Sequence, residues 1–589
     1  MRVNHQSSHL AQCCSATATE RREVQQKNET SNKRTTDFIE DELEEIKANT
    51  VRISMVTLVC ASTLVESKQL FRYYDKMIWL SVLHLLMLPC TGWADLLPPQ
   101  RSYKVLMLLP ISSKSHRNVI MPLAEALADR GHKVDMLSSY NIQHQNTNIR
   151  EIPHGLPHFP DTKLNLFNEV KKATGVISLF KDRMCKMARD IYRVPQVKEL
   201  YMKRKEYDLI VLDHLFNEFS YPFVHEMPFI TIATNGMDPR QSAVLGNLQS
   251  PAYMPSFLYD PNLEHVFGRL ANAVASIVVP FYWRYWDAIP AIQKEVNEHF
   301  PDLPPLLEIE RNQSLVLLNS HFSIGLTVPV LPSQVEVGGM HCRPPKPLPE
   351  DLDSWIEGAG SAGVIYFSLG SVTKGNTLPV KYRNMFIEAF SKLNQRILWK
   401  FETGIEGIPE NVMINHWFPQ QDILAHPNVK GFISHGGLLS LQEALFHGTP
   451  MVVLPLFGDQ PTNAARVVAN GWGRSLDYKD LSVDLIISSI LEVMNNTKYK
   501  KNVAKTSRLY KDQLTSPVER AVFWTEYVIR HRGASKLRSP AASLSWVQLL
   551  LLDVLALFLL IVILSLLILL WLSNKVLGVS KKYLKKKSE

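Results

Sequence analysis

A histidine, two glycines and a carboxylate at fixed spacing give this chain its most distinctive chemistry. Ser434-His435-Gly436-Gly437 stands between an apolar run of strand length and a segment of helical periodicity from about Leu438 to Phe446. Glycines at a strand-to-helix turn let the backbone approach a ligand without a Cβ in the way. The helix start adds free N–H groups and the positive end of its dipole. Such a turn is an anion site suited to a diphosphate. His435 is placed to donate a hydrogen bond to that group, and Glu443, eight residues on, to accept from ribose hydroxyls. Trp417 offers a flat face to a base, with Gln420 near its edge or the ribose. Each has a plainer alternative: His435 caps the helix, Trp417 is core, and Glu443 is a solvated helix residue.

A second candidate lies far upstream. Residues 103–109 read as a buried strand, 110–115 as a loop, 116–130 as a helix stopped by Gly131, and 132–137 as the next strand. In an open α/β sheet the loop after the first strand sits at the ligand edge. His116 falls there, at a helix start whose dipole favours the neutral imidazole a general base requires. The alternative is that it merely caps the helix.

The elements that must position these residues are short strands alternating with helical segments. Runs at 412–414, 430–434 and 451–454 have strand length, and polar residues follow each at its carboxyl end: His416 and Trp417, then Ser434 to Gly437, then Asp459 and Gln460. In doubly wound sheets those ends converge on one cleft.

Taken together, the residues resemble the signature of the UDP-glycosyltransferases: W-x-P-Q-x-x-[IL]-L-x-H-P, then H-G-G, a Glu eight residues after that His, and P-x-x-x-D-Q. Trp417, Pro419, Gln420, Leu424, His426, Pro427, His435, Gly436, Gly437, Glu443, Pro455, Asp459 and Gln460 carry it. The form HGGLLS resembles the insect membrane-bound branch; other branches usually place Asn where this chain has Leu439, and Ser440 offers a hydroxyl nearby. The resemblance implies a GT-B fold, two Rossmann-like doubly wound α/β domains facing a cleft, with the acceptor on the N-terminal half and the donor on the C-terminal half. It also implies that His116, in a loop of the P-x-x-S-H type, is the catalytic base. Asp213, which follows the apolar run 207–212, would orient it and stabilise its protonated form. Ser371, in Ser368-Leu369-Gly370-Ser371, would contact the diphosphate, and Asp459 and Gln460 would hold sugar hydroxyls.

The reaction implied is inverting transfer of a hexose from a UDP-sugar to a hydroxyl of a small lipophilic acceptor, as in detoxification or the conjugation of hormones and pigments. UDP-glucose is the donor expected from insect-type relatives. No cofactor and no metal are expected, because the helix start already stabilises phosphate charge. A reading from another class is a non-catalytic carrier of a lipophilic ligand with a vestigial donor site, for which Leu439 is the hint. Intact His116, Asp213, Glu443, Asp459 and Gln460 argue against it.

Two further matches fail on context. Gly358, Gly360 and Gly363 spell G-x-G-x-x-G but precede the strand 364–368 instead of following one, so a dehydrogenase is not indicated. Asp351 and Asp353 form a D-x-D beside Pro349, away from any strand end.

Composition sets the frame. A chain of 589 residues, 46% hydrophobic and 20% charged, accommodates two domains and additional segments. Its net charge of +8 is modest and partly gathered at the C-terminus, which does not indicate nucleic acid. Residues 1–76 read as a polar extension, either disordered or a gene-model artefact, because a secretory signal (77–94) begins at Met77 with an apolar stretch and ends in Gly92-Trp93-Ala94. If the extension is translated, that segment acts as an uncleaved anchor. The acceptor domain spans 95–337, the linker 338–360, the donor domain 361–530 and a juxtamembrane segment 531–545. Within the first, the apolar and aromatic stretch 263–282 reads as core. Part of the region, with the loops after Phe159 and Phe216, is expected to line an acceptor pocket. Cys13, Cys14, Cys60 and Cys90 precede the mature domains; Cys185 and Cys342 remain, and their pairing is left open.

Residues 546–572 are long and apolar enough to span a bilayer, with Trp546 and Trp571 as interfacial anchors and Asp553 the exception. The tail 573–589 carries six lysines, so the positive-inside rule places it in the cytosol and the catalytic body in the lumen. Lys586-Lys587-Ser588-Glu589 resembles a dilysine retrieval signal of the endoplasmic reticulum; the alternative is a basic tail on anionic lipid. Luminal exposure makes Asn312 and Asn495 glycan acceptors. The expected partners are a UDP-sugar, the lipophilic acceptor and a membrane, and a homo- or hetero-oligomer is compatible with such a chain.

Overall fold

The computed structural model describes residues 96–157, 165–169, 175–237, 239–255 and 263–588. The extension 1–76 with Cys13, Cys14 and Cys60, the signal segment 77–94 with Cys90, and the loop after Phe159 lie outside them.

Two parallel sheets organise the described residues. The N-terminal sheet contains β1 (Lys104–Leu109), β2 (Lys133–Ser138), β3 (Ile149–Pro153), β4 (Leu209–Asp213), β5 (Phe229–Ala233), β6 (Leu315–Leu318) and β7 (Gln334–Glu336). Their order is β3-β2-β1-β4-β5-β6-β7. The C-terminal sheet contains β8 (Val364–Ser368), β9 (Arg396–Lys400), β10 (Val412–Asn415), β11 (Val429–Ser434), β12 (Met451–Val453) and β13 (Gly473–Ser475), ordered β10-β9-β8-β11-β12-β13. β4, β5 and β8 are buried at every position, as continuous apolar strands covered by helices on both faces must be. Each sheet reverses its strand order once, between β1 and β4 and between β8 and β11, where Val105 pairs with Leu209 and Phe432 with Tyr366. Loops leaving the carboxyl ends of those two pairs diverge and leave a crevice.

Seven helices matter below: α1 (Lys114–Asp129), α2 (Val266–Phe281), α3 (Gln420–Ala425), α4 (Leu438–His447), α5 (Gln460–Ala469), α6 (Pro517–Arg530) and α7 (Leu552–Ser588). α1 begins two residues earlier than its periodicity suggests. Ser113 is its N-cap, and the Ser113 hydroxyl accepts from the His116 N–H at 3.3 Å. The capping role that competed for His116 therefore belongs to Ser113. Asp351 and Asp353 lie in the first turn of a helix in the linker, and Asp353 pairs with His426 at 3.3 Å.

Three expectations change. The stretch 263–282 is not core: most of α2 is exposed, and Asn272 is its one buried residue. Its apolar residues form a stripe facing away from the protein, a pattern that hydropathy alone cannot separate from a core helix. The candidate span begins later than Trp546. A short turn, 546–549, is separated from α7 by Leu551 at φ +52°, and 29 residues of α7, Leu552–Ser580, are long and apolar enough to cross a bilayer. Finally, α6, grouped by sequence with the donor domain, packs on the N-terminal sheet. Ala521, Val522, Val528 and Ile529 join the cluster built from β1, β2 and α1.

That crossover is pinned by charge. The Glu526 carboxylate accepts from Arg130 Nε at 2.7 Å, from His132 Nε2 at 3.0 Å and from Arg530 at 3.1 Å. Burial raises its pKa, but the His132 and Arg130 hydrogen bonds and the Arg130 charge reverse this and hold it at about 2, against an ordinary 4.5. The contribution to stability is therefore complete above pH 4.5 and is lost as pH falls toward 2. Glu526→Ala, which leaves Arg130 and His132 facing a buried gap, is expected to cost about 3 kcal/mol. Denaturant melts at pH 7 and pH 3 test this, since the difference between the two proteins must shrink at the lower pH.

The halves interlock elsewhere. Phe167 of the N-terminal half is buried in the C-terminal core, 5.3 Å edge-on from Tyr478. Arg343 grips Asp422 with two bonds of 2.6 and 2.8 Å, tying the linker to α3.

Candidate active site

At the N-terminal switch point, β1 leads into the loop carrying Ser112 and then the first turn of α1 carrying His116, β4 ends on Asp213, and Thr234 follows β5. The His116 Nδ1–H donates to Asp213 Oδ2 at 2.9 Å, which leaves Nε2 as the basic nitrogen. Asp213 is buried and held from three further directions. Ser112 Oγ donates to Oδ2 at 2.7 Å, Thr234 Oγ to Oδ1 at 3.4 Å, and the Leu215 N–H to Oδ1 at 3.3 Å. Thr234 Oγ also lies 3.1 Å from His116 Nδ1. Burial lowers the His116 pKa, but the Asp213 charge and hydrogen bond, helped by Asp459, raise it above 6.5 overall. The dipole argument for a neutral ring is thus outweighed by a direct carboxylate contact. Chemically, the pair takes a proton on Nε2 and keeps the resulting cation beside a fixed anion.

The two halves meet here, where Leu439 packs against the N-terminal cluster and Lys114 lies over Trp417. Asp459 precedes α5. Its Oδ2 accepts from Asn463 at 2.7 Å and from the Leu438 N–H at 3.2 Å, so one N–H of the α4 terminus is already engaged by a carboxylate. Burial raises the Asp459 pKa against those hydrogen bonds. Gln460 Oε1 accepts from the backbone of Leu456 and Phe457 at 2.8 and 3.2 Å, fixing its own loop, so a sugar hydroxyl would meet its amide nitrogen.

The glycines around His435 serve the protein as well as a ligand. A Cβ on Gly437 would fall 2.5 Å from the His435 ring, and one on Gly436, at φ +83°, 2.6 Å from Val453. Gly370 approaches the same Cε1–Nε2 edge of the ring: at φ +88°, its Cβ would meet His435 at 2.6 Å. Burial, with Lys400 nearby, lowers the His435 pKa to about 4, so the ring is neutral at physiological pH and acts as a hydrogen-bond donor rather than as a cation. His435 Nδ1, Ser371 Oγ and Thr373 Oγ1 are buried polar atoms with no hydrogen-bond partner among the described residues. Unsatisfied donors gathered after β8 and β11 are what an oxyanion ligand would satisfy. Lys400, at the end of β9, donates to the Gly370 carbonyl at 3.0 Å and to Glu402 at 2.7 Å, fixing the loop that carries Ser371.

Gln420, in the first turn of α3, donates to Glu443 Oε2 at 2.5 Å and to Ser440 Oγ at 3.1 Å. Gln420, Ser440 and Glu443 are thus one cluster, and burial pushes the Glu443 pKa up to about 7. A ribose diol would supply the donors that this carboxylate lacks. Leu439 packs against the N-terminal cluster, an apolar contact between the halves at the position where the resemblance expects a polar one. Trp417 is 39% exposed, and the Lys114 ammonium lies 3.3 Å from its ring centroid, a cation–π contact across the cleft. Gly358, Gly360 and Gly363 lie ahead of β8 in a helix end and a turn, outside this cleft. Cys185 and Cys342 are free thiols, and Asn312 and Asn495 are exposed.

Ser112, Thr234, Lys114 and Lys400 escape the sequence reading. Thr234 and Lys400 stand at strand ends, a position that the sheet-edge rule flags once β5 and β9 are recognised.

A family model described as UDP-glucoronosyl and UDP-glucosyl transferase matches residues 104–588. The chain is 35% identical over 495 residues to UDP-glycosyltransferase UGT5 of Dactylopius coccus, covering 81% of this chain and 92% of that protein. It is 33% identical over 377 residues to human UDP-glucuronosyltransferase 2B15, covering 61% and 68%. Among solved structures, a Polygonum tinctorium UDP-glucosyltransferase capable of glucosylating indoxyl aligns with TM-score 0.52 at 17% identity, covering 74% of this chain and all of that one. CalG4, the calicheamicin glycosyltransferase, aligns with TM-score 0.51 at 17% identity, covering 73% and 99%. These likenesses give the fold as GT-B.

Proposed function

Because the chain belongs to the UDP-glycosyltransferase family and is a glycosyltransferase acting on a UDP-sugar, we propose that it moves glucose from UDP-glucose to a hydroxyl of a small lipophilic acceptor. His116 Nε2 takes the hydroxyl proton while the acceptor oxygen attacks the anomeric carbon from the face opposite UDP, so the configuration inverts. Asp213 holds the ring and stabilises the imidazolium, with Ser112 and Thr234 fixing the carboxylate. Charge developing on the leaving diphosphate falls to His435, Ser371 and the first turn of α4, donors arranged before the reaction. Trp417 stacks the uracil, Gln420 and Glu443 take the ribose, and Asp459 and Gln460 hold sugar hydroxyls.

The observation that carries this reading is the His116–Asp213 pair at 2.9 Å, close enough to Asp459 for that acid to raise the His116 pKa. A base so placed lies between the acceptor half and the sugar-holding acid. The C-terminal helix supports a single-pass anchor, with the catalytic halves in the lumen of the endoplasmic reticulum and the lysine-rich tail in the cytosol. Transfer without a metal is part of the proposal, since the diphosphate already has neutral donors and a helix dipole to meet it.

UDP release by membranes expressing the chain, with UDP-glucose, UDP-glucuronic acid and UDP-galactose offered beside a panel of phenols and sterols, is the test. Release with UDP-glucose above the other two is expected. Release with UDP-glucuronic acid alone would overturn the choice of donor while keeping the reaction.

A further inference from the structure

The cluster of Gln420, Ser440 and Glu443 depends on a helix too short to orient itself. α3 has six residues, and its N-cap, Pro419, gives the first turn no side-chain bond. An isolated helix of that length is not stable in water, so its placement is set by its tertiary partners. Phe418, Ile423 and Leu424 bury its apolar side in the C-terminal core. Burial of that kind is non-directional, which leaves the rotation of the helix to its hydrogen bonds. Those come from the linker. Asp422 accepts from the Arg343 guanidinium at 2.6 and 2.8 Å and from the Lys346 N–H at 2.6 Å. Gln421 is held in both directions: its amide donates to the His341 carbonyl, and its oxygen accepts from the Arg343 N–H, each at 3.0 Å. The two residues directly after Gln420 are thus clamped by one stretch, 341–346.

The same stretch reaches the acid itself. The His341 side chain is buried, and its Nε2 lies 3.8 Å from Glu443 Oε1, the carboxylate oxygen opposite the one that Gln420 holds at 2.5 Å. Just before it, Val337 and Met340 are buried in the N-terminal core. A segment rooted in one half therefore directs a helix and a carboxylate of the other. Both the guanidinium fork on Asp422 and the reciprocal bonds of Gln421 are geometrically demanding, so little rotation of α3 is compatible with them.

We propose that Arg343 and Gln421 are positioning residues for ribose recognition: by fixing the rotation of α3 they keep the Gln420 amide on Glu443 and so aim that carboxylate at the ribose hydroxyls. This rests on the reading that Gln420 and Glu443 take the ribose. Neither Arg343 nor Gln421 touches the nucleotide on this account; both act through the two residues that do. Discrimination of ribose from 2-deoxyribose is then a property of the linker as well as of the site. A displacement of the N-terminal half is passed to the nucleotide at its ribose, while stacking on Trp417 and the donors around His435 are left alone.

The test is calorimetric titration of UDP and of 2′-deoxy-UDP into the full chain held in phosphatidylcholine nanodiscs. The parent chain is expected to prefer UDP by about tenfold or more, the effect of one hydroxyl bonded to a charged group. Arg343→Met should weaken UDP binding by about tenfold and leave 2′-deoxy-UDP unchanged, so that the preference collapses. Arg343→Lys keeps the charge without the fork and should lose most of the preference as well. Gln421→Leu leaves the Arg343–Asp422 fork in place, should reduce the preference several-fold, and carries the test if Arg343→Met does not fold. A preference retained in the folded variants would overturn the proposal. Equal loss of both nucleotides would also overturn it, because a general support of the fold does not distinguish them. A parent chain that binds the two nucleotides alike would instead overturn the assignment of Gln420 and Glu443 to the ribose, whatever the variants do.

Discussion

Replacing His116 by alanine is expected to lower kcat/KM by about 10²–10⁴-fold while UDP still binds with unchanged affinity. On the proposed mechanism the ring serves as the base, and the residues proposed to hold the nucleotide, Ser371, Trp417, Gln420, His435 and Glu443, all lie in the C-terminal half. Asp213→Asn should cost a comparable factor, because an amide no longer enforces the tautomer that leaves Nε2 free. The two variants separate in their pH dependence. In the wild type, activity should fall as pH drops through the His116 pKa, which Asp213 and Asp459 hold above 6.5. Without the Asp213 charge, burial is opposed only by Asp459, so the acid limb should move to lower pH. An acid limb that stays in place in Asp213→Asn would show that a different group limits the rate. Unaltered UDP release in His116→Ala would remove His116 as the base, whereas a parent chain that binds UDP and releases none from any UDP-sugar would leave the carrier as the better account.

The second large effect concerns the donor. Trp417→Ala is expected to weaken UDP binding by about 1–3 kcal/mol, roughly fivefold to 150-fold in Kd, the range found when an aromatic platform under a base is removed. Lys114 sharpens this prediction. Its ammonium occupies a position 3.3 Å from the Trp417 centroid and has no carboxylate partner among the described ion pairs. Lys114→Met should therefore leave UDP binding intact or strengthen it if the lysine covers the face that the base requires. Calorimetric titration of UDP into the two variants decides the matter; equal affinity in Trp417→Ala and the parent chain would refute the stacking role.

Much of the fold is legible in the sequence because parallel strands buried on both faces leave an unambiguous trace. β1, β4 and β8 are largely apolar runs, β11 is interrupted by the exposed Lys430, and each ends at or shortly before residues later found in the cleft. The site is legible to the extent that its residues follow such runs: strand order brings His116 and Asp213 together at the edge of one sheet, and His435 and Asp459 together at the edge of the other. What could not be read are contacts between residues distant in the chain. The bond of Thr234 to His116 spans 118 positions, and that of Glu526 to Arg130 spans 396. No periodicity encodes either one. The glycines illustrate a different gap. Gly370 and Gly437 could be recognised as necessary, but the reason lies in a ring placed between them, which only packing reveals. The stripe on α2 was apparent as apolarity and ambiguous as to what it faces, since a core and a bilayer select the same side chains.

The return of α6 to the N-terminal sheet has a mechanical consequence. The chain passes between the halves twice, once through the linker 338–360 and once on the way to Pro517. A single strap lets two bodies swivel freely, whereas two straps at separate points define an axis, as two pins define a door. Excursions of the halves that admit a nucleotide and expel UDP are therefore expected to run about the line through those crossings. With the second pin clamped by Glu526 against Arg130 and His132, loosening that clamp should widen the swing before it unfolds either half.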